Sequence, residues 1–184
     1  NANRIGVFNP SSETLVEYTV PSRNPNWADC TEITVIDDVE YKTVIDNCGV
    51  AQVFDFAVDG KKIWFTEWVE NNIGVVDTSI PLPFSIDIDK KQITLEKGQT
   101  TQLTLEVAKT LFSDAFDVNV NSSSTSTFSD IIITHENSFS LSDKTTISVE
   151  IMVGEHALSG THKVLLGAYT DDIAVSQFVT VIVV

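Results

Sequence analysis

The residue types that could carry chemistry are sparse in this sequence and lie far apart. All three histidines, His135, His156 and His162, are in its second half. His156 and His162 flank a glycine-containing turn, and this arrangement favours surface positions over a metal site. A serine nucleophile would need a histidine and an acid beside it, and the strained Gly-x-Ser-x-Gly turn is missing. The sequence therefore predicts no catalytic, cofactor-binding or metal-binding residue.

Closely spaced carboxylates are the next candidates. Asp37-Asp38-Val39-Glu40 and Asp171-Asp172 could offer oxygen ligands to Ca²⁺, but neither has the spacing of a calcium loop. Asp87 and Asp89 fall on the same face of a strand-like run. We interpret all of these as solvated turns and solvent-facing positions.

The three tryptophans, Trp27, Trp64 and Trp68, could form a platform on which sugar rings stack. Trp64 and Trp68 lie in an apolar, strand-like stretch, which favours packing inside the protein. Trp27 lies in the loop Ser22–Asp29. It is the candidate for an exposed binding aromatic.

The two cysteines, Cys30 and Cys48, match no metal-binding pattern. A pair in a chain rich in serine and threonine favours a disulfide outside the cytoplasm, and the alternative is two separate buried thiols. Closing a loop of about 18 residues would contribute roughly 3 kcal/mol. Asn121-Ser122-Ser123 is a candidate N-glycosylation site, relevant if the chain is secreted.

Charge and hydropathy exclude several function classes. The chain has 26 acidic and 11 basic residues, a net charge of −15, so phosphate backbones and anionic lipids are repelled. We therefore expect no nucleic-acid partner. No run approaches the roughly 20 apolar residues of a membrane span, so we expect none in this segment. At 42% hydrophobic residues, a packed core is feasible.

The pattern of apolar residues predicts an all-β protein of two domains. Apolar and polar residues alternate in runs such as Phe84–Ile88 and Ile147–Ile151, and helical periodicity is nearly absent. Ile80-Pro81-Leu82-Pro83 cannot continue a sheet ladder. We therefore predict one domain over 1–80 and a second over 84–184.

A weak internal repeat lies in the first domain. Asn3–Asn9 aligns with Asn71–Asp77, so Ile5 corresponds to Ile73. The interval is longer than one blade of a β-propeller, and we assign the surplus to an inserted hairpin at 30–48, stapled by the disulfide. Asp59-Gly60 predicts a tight hairpin between the neighbouring runs Phe54–Val58 and Ile63–Phe65.

These motifs resemble the virginiamycin B lyase (streptogramin lyase) family of β-propellers, which is close to NHL-type repeats. The resemblance rests on Ile63-Trp64-Phe65-Thr66-Glu67-Trp68 and on Asn72-Ile73-Gly74-Val75-Val76-Asp77. It implies propeller blades whose aromatics pack between neighbours, and two blades cannot close a ring of 4–8. The missing N-terminal blades of the same protein are therefore expected partners.

The family's lyases use a histidine and a glutamate with Mg²⁺, as the resemblance implies. The first domain of this chain contains no histidine. Glu67 matches the glutamate of the aromatic strand, a position that recurs between repeats as a structural residue. A complete lyase site is therefore not expected in this segment.

Residues 84–184 resemble the immunoglobulin-like modules of prokaryotic surface and secreted proteins. Ile93–Leu105 is similar to their first hairpin, and Ser159–Ala168 with Ala174–Val184 to the closing pair of strands. The resemblance implies an immunoglobulin-like β-sandwich.

Together these features predict a non-catalytic, extracytoplasmic scaffold, secreted or on the cell surface, that binds other surface proteins. The first alternative is a streptogramin-lyase-like enzyme whose active-site blades lie upstream. The second is a carbohydrate-binding module.

Overall fold

The structure is a computed structural model, and it shows an all-β protein. It describes residues 3–22, 31–36, 39–44, 49, 51, 53–68, 71–111, 114–124 and 129–184. Within them no sheet closes on itself, and no helix could serve as a membrane-spanning segment. The strands are β1 (Arg4–Asn9), β2 (Thr14–Thr19), β3 (Thr31–Ile36), β4 (Val39–Val44), β5 (Val53–Asp59), β6 (Lys62–Glu67), β7 (Asn72–Asp77), β8 (Phe84–Ile88), β9 (Gln92–Leu95), β10 (Thr100–Lys109), β11 (Phe116–Ser124), β12 (Ile131–Thr134), β13 (Ser138–Leu141), β14 (Lys144–Val153), β15 (Gly160–Tyr169) and β16 (Ile173–Val183).

The chain divides into two compact units, which differ from the predicted domains in one segment. The front unit contains Asn1–Ile5 and Tyr18–Ile80, and the rear unit contains Gly6–Glu17 and Pro81–Val184. The division at Ile80 and Pro81 falls in the proline-containing segment. Residues 6–17, which we expected in the first domain, belong to the rear unit.

The front unit contains two small antiparallel sheets. One has the order β5-β6-β7, and its β5–β6 hairpin turns at Gly60, whose φ of 59° is the left-handed conformation that the sequence predicted there. The other sheet is the hairpin β3–β4, in which Thr31 pairs with Val44 and Ile36 with Val39. This hairpin forms where the sequence predicted an insertion.

A small core supports one face of the β5–β7 sheet. Phe65 is buried there against Ile5, Val20 and Ala51. Its ring lies over Gly74 on the neighbouring strand, where an added Cβ would fall 2.3 Å from the ring. Glycine is thus required at this position because the aromatic ring occupies the space of a side chain.

Two sheets with a common core form the rear unit. One has the order β12-β14-β10-β8. In the other, β1, β2, β16, β15, β11 and β13 follow one another, and β9 pairs with β16 in parallel. Alternate residues of the long strands point inward, as the period of two requires. The buried cluster includes Leu105, Val149 and Ile151 from the first sheet and Val118, Leu166 and Val179 from the second.

The pairing of β9 differs from the sequence prediction. Ile93–Leu105 was expected to form a hairpin, but β9 pairs with β16, whereas β10 pairs with β8 and β14. The turn at Gly98, with φ of 77°, therefore passes from one sheet to the other. The closing pair was correct, since β15 and β16 are antiparallel with Tyr169 opposite Ala174.

Residues 6–17 join the rear unit because they extend its sheet beyond β16. The backbone N–H of Phe178 donates to the carbonyl of Glu13 at 3.0 Å, and the Gln177 amide donates to the carbonyl of Ser12 at 2.8 Å. Lys163 forms an ion pair with both carboxylate oxygens of Glu13, at 2.7 and 2.8 Å. Phe8 packs edge-on against Phe178. These contacts attach the turn between β1 and β2 to the second sheet of the rear unit.

Candidate functional site

An apolar surface lies uncovered on one face of the β5–β7 sheet. We call it the open face, and it consists of Ala57, Trp64, Thr66, Ile73 and Val75. Cross-strand register places these residues side by side, because Trp64 pairs with Ala57 and Val75, and Thr66 pairs with Ile73. Ile73 is 74% exposed, and Trp64 and Val75 are exposed as well. Contiguous exposed apolar side chains of this kind mark interaction surfaces.

The opposite face of the same sheet is covered only in part. Phe65 is buried there, but Phe56, which pairs with it on β5, is 69% exposed. Val58 on the same strand is also exposed. A sheet with apolar residues on both faces is typical of a layer packed between two neighbours.

A shallow groove of about 220 Å³ crosses the open face beside β5. Asp55, Trp64, Thr66 and Ile73 are among the residues that line it. A β-bulge interrupts β5 between Val53 and Phe56. Within it, the backbone N–H of Asp55 donates to the side-chain hydroxyl of Thr66 at 3.2 Å. The groove is thus apolar at its centre and polar where β5 bends.

The tryptophans of this sheet are more exposed than we predicted. Trp64 is 41% and Trp68 69% exposed, and Trp68 contacts Phe54, itself mostly exposed. No element among the described residues covers these two aromatics, so their packing between blades stays a prediction. Trp27, the aromatic predicted to be exposed, lies outside the described residues.

The internal repeat has matching local geometry in its two copies. Asn3 and Asn71, which precede β1 and β7, have left-handed φ angles of 53° and 56°. At the other strand ends, Asn9 accepts a hydrogen bond from the backbone N–H of Ser11, and Asp77 accepts one from that of Ser79. Each of the two strands therefore follows a left-handed asparagine and ends in an Asx-type turn.

Corresponding residues of the two copies differ in burial. Ile5 is 9% exposed and packs against Phe65, whereas Ile73 is 74% exposed. The first copy is thus covered by the sheet of the second. The second copy has no such cover among the described residues.

Hydrogen bonds lower the pKa of Asp77 at the end of β7. The side-chain hydroxyl and the backbone N–H of Ser79 both donate to its Oδ1, at 2.5 and 2.9 Å, and this stabilises the ionised form. Burial raises the pKa of Tyr18 in the front unit. Neither shift produces a reactive group beside the open face.

A serine–histidine contact that the sequence analysis missed lies in the rear unit. The His135 Nε2 is 2.9 Å from the Ser122 hydroxyl, and its Nδ1 is 2.8 Å from the carbonyl oxygen of Glu136. A serine nucleophile and its histidine base would be about this far apart. Hydrolysis would also need hydrogen-bond donors that stabilise the oxyanion of the intermediate. The contact fastens β11 to the segment between β12 and β13. No sequence signal connects these two residues.

The other two histidines lie apart from this contact. The His162 ring is 2.7 Å from the carbonyl oxygen of Leu158, and the backbone N–H of His156 donates to Asp130. Among the described residues no three metal-ligating side chains come together.

The predicted acidic positions fall at turns and on exposed strand faces where the structure describes them. Asp87, Asp171 and Asp172 are exposed. Asp89 accepts a hydrogen bond from the backbone N–H of Thr104. Asp37 and Asp38 are outside the described residues.

Two predicted residues occupy half-buried or buried strand positions. Glu67, at the end of β6, is 5% exposed, and its Oε2 has no hydrogen-bond partner in the described part of the chain. Asn121 lies within β11 opposite Gly167, with its side-chain oxygen buried. Glycosylation of Asn121 stays a prediction, as does the Cys30–Cys48 disulfide, whose residues are outside the described ranges.

Comparisons with known proteins give distant likenesses only. No family model matches the chain, and no curated protein matches it. Among solved structures, the chain is similar to a FixG-related protein from Vibrio parahaemolyticus, with a TM-score of 0.46 and 9% identity over 55% of this chain and 97% of that one. It is also similar to alpha-2-macroglobulin of E. coli, with a TM-score of 0.42 and 12% identity over 80% of this chain and 9% of that one. At these values the likenesses assign no family and no function.

Proposed function

We propose that this chain is a non-catalytic interaction protein whose front unit is part of a longer array of sheet repeats. The observation that carries the proposal is the contrast between Ile5 and Ile73. Both occupy the same position of the repeat, yet only Ile5 is covered. Its cover is the sheet of the next copy, so the occupant that fits the open face is a further copy of the same repeat.

The apolar residues on the two faces of the β5–β7 sheet support this arrangement. Burial of apolar area contributes about 25 cal/mol per Å², so exposed residues such as Phe56, Trp64 and Ile73 represent several kcal/mol that a neighbour would recover. A β-propeller is the architecture in which every sheet packs between two others. It is the arrangement we propose for the front unit and its partner repeats.

For the rear unit we propose an immunoglobulin-like β-sandwich that acts as a spacer or docking module. The strand order β12-β14-β10-β8 corresponds to the D-E-B-A sheet of that fold, and β16-β15-β11 corresponds to its G-F-C sheet. The parallel pairing of β9 with β16 adds to the second sheet. This correspondence supports the immunoglobulin-like architecture that the proposal assigns to the rear unit.

The compartment we propose is outside the cytoplasm, on the cell surface or secreted. The support is the cysteine pair, Cys30 and Cys48, which brackets a hairpin that is marginal alone. In such a setting other surface proteins are the expected partners.

The coding sequence around this segment tests the proposal first. It should contain further copies of the pattern Asn-x-Ile-Gly-Val-x-Asn/Asp found at 3–9 and 71–77. If no further copy is encoded, the open face has no repeat to bind and the proposal fails.

Substitution of Ile73 provides the second test. In the longer protein, Ile73→Lys should lower the melting temperature, because a charge would be buried against the next repeat. In the 184-residue chain the same change should have little effect. Ile132→Lys is the matched control, since Ile132 is also exposed but lies on β12 of the rear unit. Equal effects of the two substitutions in the longer protein would contradict the proposal.

A further inference from the structure

A polar groove lies on the outer face of the second sheet of the rear unit, where β13 is the last strand. Its volume of about 490 Å³ is within the range of pockets that hold small ligands. The groove shares no residue with the open face of the front unit. It is lined by Asp117, Asn119, Ser138, Phe139 and Ser140.

The register of β11 and β13 places the polar side chains of this groove next to one another. Asp117 pairs with Ser140, and Asn119 pairs with Ser138. Val118, between the two β11 residues, is fully buried in the core. Because side chains alternate along a strand, Asp117 and Asn119 point away from the core, and their cross-strand partners share that face. One carboxylate, one amide and two hydroxyls therefore lie side by side.

These four polar side chains are not used by the fold. Among the described residues, none of them has a hydrogen-bond partner. Other charged side chains on strands of the rear unit do pair, as Lys163 does with Glu13 and Lys144 with Glu106. The four side chains are exposed or half-buried. Their donors and acceptors are therefore available to a ligand.

The types of these side chains favour a neutral ligand that carries several hydroxyl groups. A carboxylate accepts hydrogen bonds, and an amide and a serine hydroxyl both donate and accept them. No lysine, arginine or histidine is among the described residues that line the groove, and the chain has a net charge of −15, so an anionic ligand would be repelled. Phe139, which is half-buried, adds an apolar wall. A sugar ring matches this lining because it has hydroxyls at its rim and apolar C–H groups on its faces.

The groove is built on strands that are held on both sides. β11 pairs with β15 as well as with β13. The backbone N–H of Val120 donates to the carbonyl of Asn137 at 2.8 Å, and the His135 ring contacts the Ser122 hydroxyl. Both contacts fix the segment that leads into β13. Side chains on such strands are positioned before a ligand arrives, which lowers the entropy lost on binding.

We propose that this groove binds a neutral sugar unit of a glycan. Asp117, Asn119 and the two serines form hydrogen bonds with the hydroxyls of the sugar, and Phe139 contacts its apolar face. The sequence offers the tryptophans as a sugar platform, but none of them is among the described residues that line this groove. The inference goes beyond the proposed function, because it gives the rear unit a ligand of its own.

Titration of the complete 184-residue chain with neutral oligosaccharides of glucose, mannose, galactose or xylose tests the inference, and oligogalacturonic acid is the anionic comparison. Isothermal titration calorimetry should show that at least one neutral oligosaccharide binds with a Kd of about 1 mM or below. Asp117→Asn and Asn119→Ala should each weaken this binding about tenfold, because each removes a hydrogen-bonding group that meets the sugar. Asp87→Asn is the matched control, since Asp87 is an exposed aspartate on β8 of the other sheet, and it should leave the affinity unchanged.

The remaining outcomes contradict the inference. If wild type binds none of the neutral oligosaccharides, the groove is not a sugar site. Tighter binding of oligogalacturonic acid would show that the ligand class is wrong. Equal affinities of wild type, Asp117→Asn and Asn119→Ala would place the sugar elsewhere, and loss of binding in Trp27→Ala alone would place it at the tryptophan. None of these results bears on the proposed function, because Ile73→Lys in the longer protein measures packing of the repeats and involves no sugar.

Discussion

At the scale of single residues, the two copies of the repeat show how one position acquires different constraints. Gly6 and Gly74 correspond in sequence. A Cβ at Gly74 would lie 2.3 Å from the Phe65 ring, whereas one at Gly6 would meet Leu15 at 3.4 Å, an ordinary contact. Glycine is thus needed for packing in the second copy and not in the first.

This difference gives a paired prediction. Gly74→Ala should destabilise the front unit by about 1–3 kcal/mol, because the buried Phe65 ring cannot move away without strain. Gly6→Ala should change stability by less, since its surroundings accept a methyl group. Guanidinium unfolding of the two variants measures the difference. A Gly74→Ala protein as stable as wild type would contradict the packing of Phe65 over Gly74.

The carboxyl of Asp77 gives a prediction about pH. Its folded-state pKa is lowered by hydrogen bonds from Ser79, so its contribution to stability is present above the unfolded pKa and is lost as the pH falls through the folded value. In Ser79→Ala the carboxyl should titrate at higher pH, because the hydroxyl donor is removed. A carbon-detected NMR titration of Asp77 checks this. An unchanged titration would mean that the Ser79 hydroxyl does not hold the carboxylate.

At the scale of elements, residues 6–17, around the turn between β1 and β2, are attached to β16, which begins at Ile173, far along the chain. Glu13 and Lys163 are 150 residues apart and form a two-point contact. Their side chains are 42% and 35% exposed, so solvent screens the pair and its contribution is modest. The backbone pairing and the contact of Phe8 with Phe178 complete the attachment.

Charge reversal tests this attachment. Glu13→Lys and Lys163→Glu should each increase hydrogen exchange at residues 6–17, because like charges would face each other. The double reversal should restore protection, with a coupling energy of about 0.5–1 kcal/mol. Reversal of Lys144 and Glu106, a pair between β14 and β10, is the control and should leave exchange at 6–17 unchanged. Additive effects of Glu13 and Lys163 would show that the pair is not formed in solution.

At the scale of the whole molecule, the rear unit has a closed core and the front unit has an open surface. Leu105 is fully buried among residues of both rear sheets, whereas Ile73 is largely exposed. Truncation of these two side chains, which are similar in size, to alanine therefore compares the stability contribution of a buried core position with that of an exposed position.

Leu105→Ala should destabilise the rear unit by about 3–4 kcal/mol, through lost apolar burial and the cavity that remains. Ile73→Ala should change the stability of the 184-residue chain by under about 0.5 kcal/mol, as for surface substitutions. Thermal unfolding followed by circular dichroism measures both. A large loss of stability in Ile73→Ala would mean that the open face is already covered in the isolated chain.

The sequence alone determined the all-β class, the hairpins at Asp59-Gly60 and over β3–β4, and the pairing of β15 with β16. These follow from local signals, namely the period of two, glycine at a left-handed turn and short connections. The internal repeat was also visible in the sequence, and its bounding turns have the same geometry in both copies.

Only the tertiary structure decided where residues 6–17 belong, that β9 pairs with β16, that Ser122 meets His135, and that Ile73 and Trp64 are uncovered. Each depends on contacts between residues distant in sequence, and hydrophobic alternation is the same whether a strand is covered or not. A periodic pattern fixes which face of a strand is apolar, but what packs against that face depends on the surfaces that the rest of the fold brings to it.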